Sequence, residues 1–132
     1  MDNSISKSIS AAAGGMNVQS FRLRVASENL SNVDTHGYQR KLVTFGQEMD
    51  KLNGVNQVSV DQVTLDRSEG EQLFDPAHPL ANEQGFVTMS NVDMMIELAD
   101  AREAGRSYEA NLATFRQATQ MYRSLIDLLR QS

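Results

Sequence analysis

VDMMIELADAREAGRSYEANLATFRQATQMYRSLIDLLR, Val92 to Arg130, carries no proline and reads as one helix. Along it Met94, Leu98, Ala101, Gly105, Tyr108, Leu112, Phe115, Thr119, Tyr122, Ile126 and Leu129 recur at alternating spacings of four and three. A mean period of about 3.5 marks helices that wrap one another. Two ordinary amphipathic helices on a globular core would share most of the pattern, so length has to separate the readings. At about 1.5 Å per residue this helix is roughly 58 Å long. A compact chain of 132 residues has a radius of gyration of only about 14 Å. The rest of the chain therefore cannot cover it.

The same rhythm runs through Ile5, Ile9, Ala12, Met16, Gln19, Leu23, Ala26 and Leu30, with only Gln19 polar. A helix of that extent, roughly 45 Å, could lie along the first, but two helices alone leave apolar faces bare. Met95, Ala118, Met121, Leu125 and Leu128 lie off the main seam and widen the apolar face toward the C-terminus. An elongated chain that completes its core by assembling with other chains is expected. Gly14 and Gly15 interrupt the N-terminal seam at about 1 kcal/mol each in a helix interior, and they are read as a hinge or break.

The middle has a different grain. In VNQVSVDQVTLD, Val55 to Asp66, Val58 and Val60 alternate, then Val63 and Leu65, with one slip of register. Two short strands, or one strand bulged at Asp61–Gln62, would give that. DPAHP, Asp75 to Pro79, and the following ANEQGF supply turn chemistry. SNVD then leads into the long helix, with Ser90 or Asn91 as its cap and Asp93 in its first turn. The expected class is mainly α, with long N- and C-terminal helices paired as a coiled coil and a small β-rich, irregular middle. The divisions are 1–35 for the first helix, 36–91 for an elbow and outward region, and 92–132 for the last helix.

Composition excludes several functions. The net charge of −5 argues against nonspecific nucleic-acid binding, which needs clustered cations, and against an anionic membrane surface. The charge is uneven: residues 46–91 hold eight acidic and two basic groups, whereas 1–45 hold three and five. A solvated middle between packed ends fits that split. There is no cysteine, hence no disulfide framework or thiolate chemistry. No apolar run is long enough to span a bilayer. No basic region followed by an apolar one marks a cleavable leader, which points to the cytoplasm unless another export route serves.

Chemistry is equally sparse. His36 and His78 each sit in a turn without carboxylates at ligand spacing. Ser90 and Ser107 lack a His–Asp pattern, and no phosphate loop appears. Asn29–Leu30–Ser31 matches a glycosylation acceptor with no secretory signal to support it. Arg102, Arg106, Arg116 and Arg123 alternate with Glu97, Asp100, Glu103 and Glu109, which suits inter-helix ion pairs better than a nucleic-acid stripe. An enzyme is not expected, and neither a metal nor a cofactor is implied.

ASENLSNVDTHGYQRK, Ala26 to Lys41, ends the first helix in a polar run and sets Tyr38 directly after Gly37. With its Asn29, Asn32, Gly37 and Tyr38 it resembles the N-terminal signature of bacterial flagellar axial proteins. FDPAHPLANEQGFVTMSNVDMMIELADAREAGRSYEANL, Phe74 to Leu112, resembles more specifically the proximal-rod (FlgC-type) family of the basal body. The matching residues are Asp75, Pro76, His78 and Pro79, then Gly85, then Asn91 and Val92, then Arg106, Ser107, Tyr108, Ala110 and Asn111. The likeness covers nearly the whole chain. It departs at Ser90, where the family carries proline, and near Ser68–Glu69.

The resemblance implies a structural subunit of the rod, the drive shaft that crosses the periplasm, carries torque from motor to hook and encloses an export channel. It implies partners among the other rod proteins, copies of the chain itself and the base of the rod at the MS ring. It implies export through the flagellum's own type III apparatus, which fits the missing leader and the absence of cysteine. Family members' terminal helices tend to order only on joining the lattice, as helices without intramolecular cover would. On this reading Ile9, Met16, Leu23, Ala26 and Leu30 pack against Tyr108, Leu112, Phe115, Tyr122, Ile126 and Leu129, within and between subunits, as the inner wall of a tube. The alternative is a soluble helical adaptor or secretion chaperone, which would resist proteolysis at both termini. A small enzyme using His36 or His78 would instead show ligand-dependent stabilisation.

Overall fold

The computed structural model describes residues 3–50 and 54–131. Two long helices frame it: α1 at Asn3–Ser31 and α2 at Met94–Gln131. Between them lie β1 (Lys41–Asp50), β2 (Val55–Leu65), β3 (Gln72–Phe74) and β4 (Phe86–Thr88). The strands form two separate two-stranded antiparallel sheets, β1–β2 and β3–β4.

The helices pack antiparallel along one another. Arg22 reaches Glu103 at 3.7 Å, Gly15 lies against Asn111, and Ile5 shares a groove with Met121 and Leu125. On that register the last turns of α2 run on past the described start of α1. The residues buried on the two helices are mostly small or polar. Ala12, Gly14, Val18, Val25, Ala26 and Asn29 are buried on α1, and Glu97, Ala104 and Ala118 on α2. The α2 line repeats in sevens, with Asn111 filling the place that faces Gly15. It stands one residue before the expected line of Leu98, Gly105, Leu112, Thr119 and Ile126, while Ala101, Tyr108, Phe115 and Tyr122 flank it half-buried. Ala118, read from the sequence as off the seam, is central to it.

The hinge expected at Gly14–Gly15 is absent, because α1 runs unbroken through both. A Cβ on Gly15 would come within 2.7 Å of the Asn111 side-chain amide, and one on Gly14 within 3.1 Å of that of Gln57. The two glycines admit α2 on one side and the hairpin on the other. That close approach offsets the local helix cost of about 1 kcal/mol each.

Of the two readings of Val55–Asp66, the single bulged strand is the one formed. Thr44 pairs with Gln62 and Phe45 with Val60, which leaves Asp61 as the extra residue. The hairpin folds back along α1, with β2 making most of the contact. β1, β3 and β4 were not foreseen. In the turn that links β3 to β4, Asn82 Oδ1 accepts from Gln84 N and Phe86 N at 3.0 and 2.9 Å. Gly85 sits at φ +86°, where a side chain would press on Phe74 and Pro76. Phe74 and Phe86 meet edge to face at 5.3 Å.

The start of α2 corrects another expectation. Asp93, placed in the first turn by the sequence, is the cap: its Oδ1 accepts from Met95 N at 3.0 Å. Ser90 and Asn91 are turned to other work. Ser90 is buried and donates its hydroxyl to Val33 O at 2.5 Å. That bond ties the approach to α2 onto the turn after α1.

Candidate functional site

Two features stand out on this frame: a polar junction where α1, the hairpin and α2 meet, and apolar surface that the chain leaves uncovered. The junction is built by the run after α1. Ser31 Oγ donates to Ser27 O and Asn32 Nδ2 to Glu28 O, so the last turn's carbonyls find donors without lengthening the helix. Thr35 N and Tyr38 N then close two turns onto Asn32 O and Thr35 O, and Gly37 takes φ +72°.

Asn29 anchors the chain's return. It is only 1% exposed, and its Oδ1 accepts from Tyr38 Oη at 2.9 Å and Lys41 N at 3.0 Å. Its Nδ2 donates to Lys41 O at 3.0 Å, so the amide serves as a surrogate strand partner for β1. One residue earlier, Arg40 donates its backbone N to Asn91 Oδ1 at 2.6 Å and accepts from Asp66 N at 2.7 Å. Asn91 Nδ2 in turn holds Asp66 O and Ser68 O, both at 2.9 Å. The Arg40 side chain bonds Glu97 through Nε and Asp100 through Nη2, the latter at 2.9 Å. Glu97 is 2% exposed.

Charge follows this geometry. Burial alone pulls the Arg40 guanidinium down, but the hydrogen bond and charge of Glu97, with Asp100 behind it, carry it above its ordinary value. The Glu28 carboxylate, 2.5 Å from Lys41 Nζ, holds that ammonium up. Hydrogen bonds from Ser68 lower Asp66. Burial, then Glu28, raises the Tyr38 phenol above 10.0.

Tyr38→Phe is expected to cost about 1 kcal/mol at neutral pH, the worth of one net hydrogen bond, read from urea unfolding. A raised folded-state pKa means that the phenol's contribution is complete below its unfolded value and lost as pH rises through the folded one. The gap between the variant and the parent chain should therefore close above pH 10.0.

Among the described residues apolar side chains remain exposed at both ends of α2, on the hairpin and around the β3–β4 turn, where Leu73, Phe74, Leu80 and Phe86 are exposed. Met94, Met95, Ile96 and Leu98 lie on the first turns of α2, and Met121, Leu128 and Leu129 near its end. Ile5, Met121, Leu125 and Leu128 line an open groove there. Phe45, Met49, Val58, Val63 and Leu65 are exposed on the hairpin.

The residues foreseen for helix packing are spread between the seam and this surface. Ala26 is buried; Ile9, Met16, Leu23, Leu30, Tyr108, Leu112, Phe115, Tyr122 and Ile126 are half-buried; Leu129 is exposed. Of the motif residues, Asn29, Tyr38 and Asn91 converge on the junction, where Tyr38 Oη donates to Asn29 Oδ1 and Asn91 N to Tyr38 O at 3.2 Å, while Gly37 N donates to Thr88 O at 3.0 Å. Asp75, Pro76, His78, Pro79 and Gly85 form the β3–β4 turn, and Asn32 the elbow. Asn111 meets Gly15; Ser107 accepts its amide at 2.9 Å. Val92 leads into α2, where Arg106 and Ala110 are exposed.

Sequence reasoning missed Arg40, Glu97 and Asp100 as a unit. The two histidines, each read as lying in a turn without carboxylates at ligand spacing, come together with ring centroids 4.6 Å apart. Among the described residues no group of three or more His, Cys, Asp or Glu is placed to hold a metal. No described helix is long and apolar enough to cross a membrane. The expected ion pairs from Arg102, Arg106, Arg116 and Arg123 do not form among the described residues; the inter-helix pair present is Arg22–Glu103.

Comparison with known proteins bears on both features. A family model described as flagella basal body rod protein matches residues 9–39. Another, described as the C-terminal part of the flagellar basal body rod FlgEFG proteins, matches residues 83–128. The flagellar basal-body rod protein FlgC of Agrobacterium fabrum is 47% identical over 128 residues, covering 92% of each chain. That of Borreliella burgdorferi is 30% identical over 93% of this chain and 96% of its own. That of Bacillus subtilis is 32% identical over 80% and 85%. With the two helices matched separately and a relative of this identity matched nearly end to end, the chain belongs to the FlgC-type flagellar basal-body rod proteins.

Proposed function

We propose that this chain is a structural subunit of the proximal rod of the flagellar basal body. It assembles with other rod proteins into the shaft that crosses the periplasm, passes motor torque toward the hook and encloses an export channel. The observation that carries the reading is the incomplete burial of its helices: they match rod-family models, pair along their length, and still present apolar side chains at both ends of α2. Apolar surface contributes about 25 cal/mol per Å² when it is covered, so burying these side chains against neighbours is the main source of assembly energy. In the rod, α1 and α2 are paired as a coiled coil and join neighbouring pairs as the wall of the tube. Ile9, Met16, Leu23, Ala26 and Leu30 on α1, and Tyr108, Leu112, Phe115, Tyr122, Ile126 and Leu129 on α2, supply the contacts within and between subunits. Residues 36–91 face outward toward rod neighbours.

The subunit's partners are other rod proteins, its own copies and the base of the rod at the MS ring. It reaches the periplasm through the flagellar type III export apparatus. Its work is mechanical, and it is not an enzyme: its relatives are named as rod proteins. Neither the adaptor nor the enzyme reading gains support from these relatives.

Deleting the gene is expected to abolish flagella and swimming, and a plasmid copy to restore both. Normal flagellation in the deletion strain would overturn the reading.

A further inference from the structure

The β1–β2 hairpin is held unevenly. None of its described residues is fully buried. Along its length its contacts with α1 include Gln57, which bonds Ser10 and lies over Gly14, and Phe45 beneath the Arg22 guanidinium. A two-stranded ribbon has little stability of its own in water, so its seat depends on such contacts and on its root. The root is different in kind. There Arg40 joins both strands through Asp66, takes the Asn91 amide on its backbone, and sends its side chain to Glu97 and Asp100.

Glu97 occupies a position in the buried line of α2 where its successors at intervals of seven are Ala104, Asn111 and Ala118. Helix packing alone has no use for a carboxylate there, and a buried charge destabilises unless it is paired. Its pairing partner is Arg40 at the hairpin root, 57 residues away in sequence.

We infer that Arg40, Glu97 and Asp100 form a lock at the root of the hairpin, which keeps this strap seated on α1. The strap's position is set by the charged root and only secondarily by its own packing. Arg40 is on this account a positioning residue. The inference uses the rod reading only for its readout in cells, and its chemical test is independent of it.

The chain contains no cysteine, which makes the seat directly measurable. A Cβ on Gly14 would lie 3.3 Å from the Gln57 Cβ, near the separation of about 3.8 Å usual for a disulfide. In purified protein, Gly14→Cys with Gln57→Cys should close rapidly to an intramolecular disulfide under mild oxidation. Adding Glu97→Gln, or Arg40→Lys, which keeps the charge but loses the planar fork that spans two carboxylates, should slow closure severalfold while the helical circular-dichroism signal stays intact. In cells the same root changes should impair swimming, and the oxidised staple should restore it, because a covalent tie does the lock's work.

Closure at an unchanged rate in both root variants would overturn the lock, showing that the strap holds itself on α1. Loss of the helical signal in both would overturn it equally, since the root would then serve folding as a whole. Slowed closure without rescue in cells would leave the lock standing in the molecule and count against the rod reading alone.

Discussion

Asn29→Leu is expected to destabilise the folded chain by about 3 kcal/mol. Leucine has a similar branched outline but is bulkier than asparagine, so the change creates no cavity and some overpacking adds to its cost. What it removes is the whole polar service of a side chain that is 1% exposed. Lys41 N and O lose their partners at 3.0 Å, and Tyr38 Oη loses its acceptor at 2.9 Å. Each buried group left without a partner costs about 1–3 kcal/mol, and a group that can turn to water costs less. The Tyr38 hydroxyl and one Lys41 group have that freedom, which holds the sum near the lower end. The measurement is the urea midpoint with an unchanged slope, the sign that stability has altered and not the denatured state. Asn29→Asp keeps both acceptor bonds but replaces the donor to Lys41 O with a second oxygen and buries a charge, so it too should be less stable than the parent. A leucine variant as stable as the parent would show that β1 is held elsewhere and that Asn29 is incidental to the junction.

That junction also marks how far the sequence could be read. The period of four and three along α2 and α1 survives any arrangement of neighbours, so both helices were legible from Met94–Leu129 and Ile5–Leu30. The stop after Ser31 was legible too, since Asn32, Asp34 and Gly37 act through their own backbone. β1 was hidden because Leu42 and Val43 are adjacent and Gly46 interrupts the alternation that marks a strand. β3 and β4, three residues each, are shorter than any pattern can register. Gly14 and Gly15 were misread because local propensity penalises glycine in a helix, whereas Asn111 and Gln57, distant in sequence, require it. Glu97 is the hardest case. An acid in the first turn of a helix looks like a surface residue favoured by the helix dipole, and only the return of Arg40 across the fold makes it a buried partner. The elbow reads in the sequence as a way out of the helix pair, and in the fold it also turns the hairpin back along α1.

Phe115→Asp and Leu128→Asp are both expected to abolish rod incorporation, and the way they differ tests where the assembly surface lies. Phe115 is half-buried beside the central line of α2, so an aspartate there damages the helix pair as well as any contact between subunits. Losing a fully buried phenylalanine costs about 3–5 kcal/mol before the charge is counted; the half-buried Phe115 should cost part of that, and the purified Phe115→Asp chain should be less stable than the parent. Leu128 is 65% exposed, on the part of α2 that runs past the described start of α1. Surface changes of that kind usually alter stability by no more than about 0.5 kcal/mol, so the isolated Leu128→Asp chain should unfold like the parent. In an assembled wall the same aspartate would replace an apolar contact worth about 1.5–3 kcal/mol with a carboxylate that has no partner. The defect recurs in every copy. The expected result is a chain that folds and is exported but is missing from isolated basal bodies, in cells that do not swim. If Leu128→Asp cells swim normally while Phe115→Asp cells do not, the end of α2 is open to solvent in the rod and the wall is built from the central seam.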